Sequence, residues 1–225
     1  MPALISGIDD ALTRYGLIVR GAVAFTSDDH PPNAPSGMPA RSVVLVGHGG
    51  ADYWPHFERW RSTQPQDLAN PLDAWSRSVL EEVASLVDAL VLLPNDRPYA
   101  PFQQWAIRAE RLRPSPIGLL IHPVYGLWHA FRGALLLDAD IEIQQAEELN
   151  HPCDVCVGKP CMNACPVDAF PAAGFAYERC LGYVRGPQGQ GCCTGCQARS
   201  ACPIGIQYRY PASVQKFHQA AFAGL

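Results

Sequence analysis

Apolar residues along the chain recur at two periods, and the switches between those periods mark out a mixture of helices and strands. Ile8, Leu12 and Tyr15 share one helical face that stops at Gly16, and residues 17–25 then read as a strand with Arg20 and Gly21 inside it. Residues 26–41 are crowded with Asp, Pro, Asn, Ser and Gly and predict a long loop, either a lid or an insertion. A short apolar strand over 42–46 runs into Gly47-His48-Gly49-Gly50, read as a turn in which His48 is a polar turn residue or a ligand contact. Asn70 and Pro71 suit the N-cap and first position of a long helix, whose face continues through Leu72, Trp75, Val79, Val83, Leu86 and Leu90. Residues 91–93 predict a short strand and 94–100 a loop. Phe102, Trp105, Ala109 and Leu112 form a second amphipathic helix that ends before Pro114. Beyond it, 117–121 and 127–137 predict a hairpin closed by His122-Pro123-Val124-Tyr125-Gly126. A short polar helix is expected over 141–149 and an amphipathic one over 211–222.

The chain has 225 residues, 48% of them hydrophobic, enough for a sizeable core in one domain plus a small module. Charge is divided unevenly. Residues 1–149 carry 11 Arg, no Lys and 18 acidic groups, whereas 150–225 carry 6 basic and 3 acidic ones. The positive tail does not predict a nucleic-acid surface, because metal–thiolate clusters would add negative charge to that same segment. The first twenty residues contain Asp9 and Asp10 and lack a basic start followed by an apolar run, so a cytoplasmic location is expected. The apolar stretch 117–137 is interrupted by His122, Pro123, His129 and Arg132, groups too costly in hydrocarbon for a membrane span.

All nine cysteines lie in the last third of the chain. Eight form two runs, each ending in Cys-Pro: Cys153, Cys156, Cys161, Cys165-Pro166, and Cys180, Cys193, Cys196, Cys202-Pro203. Thiolate suits soft iron–sulfur cores, and in two-cluster ferredoxins the Cys-Pro cysteine of one run ligates the other run's cluster. The expected sets are therefore Cys153, Cys156, Cys161 with Cys202, and Cys165 with Cys180, Cys193, Cys196, holding two [4Fe-4S] clusters. The four residues between Cys156 and Cys161, and the five between Cys196 and Cys202, require bulged loops. Structural zinc also uses Cys-x-x-Cys but requires neither paired Cys-Pro endings nor crossed sets. Disulfides would be spread along an extracellular chain instead of gathered at one end. Only Cys193 stands two residues before Cys196, so Cys192 is read as a buried neighbour of the site, with an exchange of the two as the alternative.

The run from His122 to Leu137, with His122-Pro123, Gly126, Trp128, Ala130, Arg132-Gly133 and an apolar strand, resembles the vitamin B12 processing family CblC. Leu93-Pro94-Asn95 followed by Arg97-Pro98 resembles the same family. Together with the cysteine runs, the region over roughly 90–205 is also similar to epoxyqueuosine reductase, a cobalamin enzyme with two [4Fe-4S] clusters. These resemblances imply an α+β fold: a nitroreductase-like corrin-binding domain over 1–149, then a bacterial-type 2[4Fe-4S] ferredoxin module over 150–225.

They further imply a corrin cleft walled by Tyr125, Trp128 and Phe131. Arg132 would serve an amide or the nucleotide-tail phosphate, and His122 would be an axial ligand or, in its other reading, a turn or tail contact. Asp96 occupies the place of the reductase's proposed proton donor, where CblC has a basic residue; a capping or turn role is its alternative. The expected function is binding and reduction of cobalamin by electrons from the clusters, with removal of its upper ligand. The alternatives are a cobalamin-dependent reductase of another substrate and a plain electron-transfer ferredoxin. The expected partners are a corrinoid and a flavoprotein or ferredoxin donor, without membrane or nucleic acid. The helical repeats that follow the clusters in epoxyqueuosine reductases have no counterpart in the 23 residues after Cys202, which points away from a tRNA substrate.

Overall fold

The structure is a computed structural model describing residues 2–141 and 150–224, so the helix expected over 141–149 lies almost wholly outside the described residues. In chain order the elements begin with α1 (Pro2–Thr13), β1 (Ile18–Ala24), β2 (Ser42–Gly49), α2 (Trp54–Arg61), α3 (Pro71–Ser85), β3 (Leu90–Leu92) and α4 (Phe102–Glu110). They continue with β4 (Arg113–Pro114), β5 (Leu120–Ile121), β6 (His129–Leu137), α5 (Pro160–Asn163), α6 (Tyr177–Arg185), α7 (Gln190–Cys193), α8 (Gln197–Ser200), a 3-10 turn (Ile206–Tyr208) and α9 (Ala212–Ala223). The fold is mixed α/β. No helix among the described residues is long and apolar enough to cross a membrane.

Two compact units emerge. The first runs to Arg111 and takes in the chain again from Ala130; the second combines Leu112–His129 with the C-terminal residues. A single cut after 149 therefore leaves 112–129 out of account, because that segment folds with the cysteine-bearing residues.

The first unit is built on a four-stranded sheet ordered β1-β2-β6-β3. All of β2 up to His48 is buried, which explains its unbroken apolar sequence: a strand covered on both faces has no polar side to display. The expected turn at 47–50 is instead the end of this strand. At Gly47 the neighbouring backbone comes so close that a Cβ would stand 2.2 Å from the Ala130 carbonyl oxygen. In β1 the register against β2 slips between Val19 and Ala22, a bulge at Arg20-Gly21 with Gly21 at φ +79°. α3 buries Leu72, Trp75, Val79, Leu80 and Val83, but it ends at Ser85, and Leu86 and Leu90 are exposed. Asn70 is left-handed and its side chain makes no cap, so Pro71 alone marks that helix start.

The second unit corrects the expected hairpin. β5 pairs with β4, not with β6, and the strand expected from 127 begins at His129. The reason is the 122–126 loop, which closes on itself through hydrogen bonds between His122 and Gly126 in both directions, at 2.9 and 2.8 Å. Ile117, Ile121 and Leu127 then enter a small core with Cys161, Ala198 and Cys202, against which Cys153, Cys165 and Cys196 pack.

Candidate functional site

The thiols gather by electrostatic neighbourhood into two sets. Burial raises the Cys153 thiol above its ordinary pKa, Lys159 opposes that rise, and Cys202, Cys161 and Cys156 add to it. Cys161 is likewise raised, first by burial and then by Cys202. The other set forms around Cys180, which burial and its neighbours Cys196, Cys165 and Cys192 push up to about 11. Cys193 is not among those neighbours. Its Sγ donates a hydrogen bond to the Val184 carbonyl at 3.1 Å. A backbone amide points at one of these sulfurs, Ala169 N–H donating to Cys165 at 3.2 Å, and the Met162 and Ile204 backbone partly offsets the rise at Cys161 and Cys202. Among the described residues, no three His, Cys, Asp or Glu side chains converge as ligands of a single metal ion would.

The His122–His129 segment is built into this same unit. A Cβ on Gly126 would lie 1.9 Å from the Ile204 carbonyl oxygen, and one on Gly205 2.4 Å from Tyr125 backbone, so the loop rests directly on the chain that follows Cys202-Pro203. Arg199 fastens it further. Its guanidinium donates twice to the Leu127 carbonyl, at 3.0 and 2.6 Å, and lies 4.6 Å from the ring centroids of both Trp128 and Tyr210. Trp128 is 0% exposed and fills the core of this unit. His122 Nδ1 accepts hydrogen bonds from the backbone N–H of Val124 and Tyr125, at 3.0 and 3.1 Å, the geometry of the turn-stabilising alternative. Tyr125 packs between His122 and Tyr208, with centroids at 4.5 and 4.8 Å.

The remaining expected site residues belong to the first unit. Phe131 lies against the guanidinium of Arg20 at 4.7 Å. Arg132 is largely buried, with Nη1 3.9 Å from Asp73, whose other oxygen accepts from Asn95 at 3.2 Å. Asp96 has both carboxylate oxygens engaged, one by Arg77 and one by the Leu93 N–H at 2.8 Å, which fits its turn-forming alternative. Expected site residues are thus shared between two units: His122, Tyr125, Trp128 and the cysteines on one, Asp96, Phe131 and Arg132 on the other.

Sequence reading passed over three organising side chains. Arg20, turned inward by the bulge, makes a paired contact with Glu110 at 2.7 Å on each oxygen and donates to the His48 carbonyl at 3.0 Å. Its signal was a cation beside a glycine in an apolar strand. Asp73 links Asn95 with Arg132, and nothing in the pattern marked it. Arg199 was signalled only by the long interval between Cys196 and Cys202. It also lines a cavity of ≈ 390 Å³ beside Cys180, Cys196, Phe170 and His218.

No known protein-family profile matches the chain, and no curated protein matches it by sequence. Solved structures do. An epoxyqueuosine reductase from Bacillus subtilis, with its catalytic loop swung out of the active site, aligns over 92% of this chain and 66% of its own, at 13% identity and a TM-score of 0.51. What is shared is the fold. The epoxyqueuosine reductase from Streptococcus thermophilus aligns over 76% of this chain and 51% of its own, at 18% identity and a TM-score of 0.48. The chain thus spans between about half and two thirds of the length of these reductases.

Proposed function

We propose that this chain is a cytoplasmic, cobalamin-dependent iron–sulfur reductase of the epoxyqueuosine reductase kind, with a nitroreductase-like corrin-binding part and a ferredoxin-type module for two [4Fe-4S] clusters. The observation that carries the reading is the crossed grouping of thiols. Cys202 neighbours Cys153 and Cys161 of the first run, while Cys165 of that run neighbours Cys180 of the second. Two sequential one-ion sites would have no need of this exchange, whereas paired clusters in the ferredoxin arrangement do. The donor set also fits: partly buried thiols whose pKa burial raises are costly as bare thiolates, and a cationic metal core removes that cost.

When bound, the clusters supply single electrons and the corrinoid supplies a low-valent cobalt, chemistry that no side chain here performs. The chain's own residues hold and insulate. Cys153, Cys156, Cys161 and Cys202 would hold one cluster, and Cys165, Cys180, Cys193 and Cys196 the other. Arg199 clamps the Leu127–Trp128 backbone onto the cysteine-bearing unit, and Arg132, fixed by Asp73, offers a fork of donors to an amide or a phosphate. Tyr125 and Phe131 are the apolar contacts proposed for the corrin. Reduction of an organic substrate is preferred to upper-ligand removal because the fold comparison falls on reductases that act on such a substrate. The electron donor would be a flavoprotein or a ferredoxin.

The test is anaerobic reconstitution followed by cobalamin titration and then turnover of epoxyqueuosine as probe. Two clusters give about eight irons per chain. A visible-spectrum shift with cobalamin and loss of the epoxide would support the reading. A shift with upper-ligand loss and no action on the epoxide would replace it with corrinoid processing, and iron without any shift would leave an electron-transfer ferredoxin.

A further inference from the structure

We infer that the first unit carries a binding site for a small aromatic carboxylate, in the groove between α2 and α3. The groove has a volume of ≈ 350 Å³, within the usual range of small-molecule sites, and shares no residue with those proposed for the corrin or the clusters. Its walls follow from helical spacing. His56, Arg59 and Trp60 stand three and four residues apart on α2, and Trp75, Ser78, Val79 and Glu82 repeat that spacing on α3, so each set lines one face. Tyr15, just beyond α1, completes the lining. Trp75 and Val79 are buried and form an apolar floor. Trp60 is only half-buried: α2 packs Trp54 and Phe57 inward and leaves this indole facing the groove.

Charge selects the ligand. Glu82 is already satisfied, since the Tyr15 hydroxyl donates to one of its oxygens at 2.7 Å and Arg14 stands 3.6 Å from the other. Arg61 closes the end of α2 by donating to the Pro65 and Gln66 carbonyls, both at 2.6 Å. Arg59 has no such duty. Among the described residues, neither its guanidinium nor the His56 ring has a hydrogen-bond or ion-pair partner. Arg14 and Arg59 against Glu82 leave one positive charge in excess. An organic cation would meet Arg59 unshielded, whereas a carboxylate matches its fork of donors and can accept from His56 as well. The indole and phenol rings then cover an aromatic body. A volume of ≈ 350 Å³ takes about a dozen water-sized groups, so a bicyclic acid fits.

The reconstituted full-length protein is titrated by equilibrium dialysis with naphthoate and with its neutral and cationic counterparts, naphthamide and naphthylmethylammonium. Naphthoate should bind once per chain and about tenfold more tightly than either counterpart, the usual worth of a charge-assisted hydrogen bond. Arg59→Gln, at an exposed position, should weaken naphthoate about tenfold and remove its advantage, and Trp60→Ala should weaken all three probes. No binding to the wild type, equal affinity for the three probes, or affinities unchanged in both variants would overturn the site. Displacement of naphthoate by cobalamin would overturn it too, by making the groove part of the corrin site. The charge series is read on the wild type, so it decides the matter even where a variant folds poorly.

Discussion

Asp96 is held at both oxygens, by Arg77 and by the Leu93 amide. If it organises the turn, Asp96→Asn costs no more than about 1 kcal/mol, the usual worth of a partly exposed ion pair, and changes turnover less than tenfold. A loss of ~10²–10⁴-fold with corrin binding intact would return it to the role of proton donor. Arg20 and Glu110 set a larger expectation, because the arginine is 1% exposed at its side chain and the carboxylate neutralises it. Glu110→Gln strands that charge in the core, and urea unfolding should show a loss of about 3–5 kcal/mol. A loss under about 1 kcal/mol would mean that the His48 carbonyl and the Phe131 ring suffice for Arg20. Arg199 is a milder case: Arg199→Gln removes two charge-assisted bonds and the contact with Trp128, a loss of about 2 kcal/mol that tryptophan fluorescence during unfolding would report.

Elements show where the pattern of apolar residues is sufficient and where it is not. α1, α4 and α9 follow their periodicity, since each buries one stripe and little else decides their position, and α3 does so as far as Ser85. β2 was legible as a strand but not in its length. His48 and two glycines resemble a turn in isolation, yet Gly47 serves close approach to Ala130, a reason that exists only once β6 lies alongside. Gly47→Ala should therefore unfold the sheet or shift its register, visible as loss of cooperative melting, while Gly37→Ala, open around its missing Cβ, costs only its positive φ. The 117–137 hairpin failed for a related reason. Period-two alternation cannot reveal that His122–Gly126 closes as a loop seated on Ile204 and Gly205, far along the chain. The spacing of the eight cysteines proposes two thiol sets, but adjacent cysteines differ by which way a single helical turn faces, and spacing carries no such information.

At the scale of the whole molecule, the chain leaves its first unit at Leu112 and returns at Ala130 before leaving again. A fragment ending at residue 149 would keep Ile117, Ile121, Leu127 and Trp128 without the residues that bury them, and limited proteolysis should cut it within 112–129. Protection there would mean that the segment folds without the cysteine-bearing residues. The buried thiols give the cluster-free chain a pH signature. Burial first, and neighbouring sulfurs next, hold Cys180 at about 11 against an ordinary 9.0, and Cys153, Cys161, Cys192 and Cys202 are raised in the same direction. The folded chain then keeps protons that the unfolded chain gives up. The stability this contributes is complete below about pH 9 and is lost as pH climbs toward the folded values, so the urea midpoint should fall between about pH 8 and about pH 10.5. A midpoint that stays level would count against burial of these sulfurs.

The exchange of Cys165 and Cys202 proposed between the two sets would also order events in time. A ribosome releases Cys153, Cys156 and Cys161 before Cys202, so the first set would remain an open triad until Cys202 has emerged. The second set receives Cys165 early but waits for Cys196, so the two sets come within reach of completion almost together. A premature stop before Cys196 would leave neither of them whole.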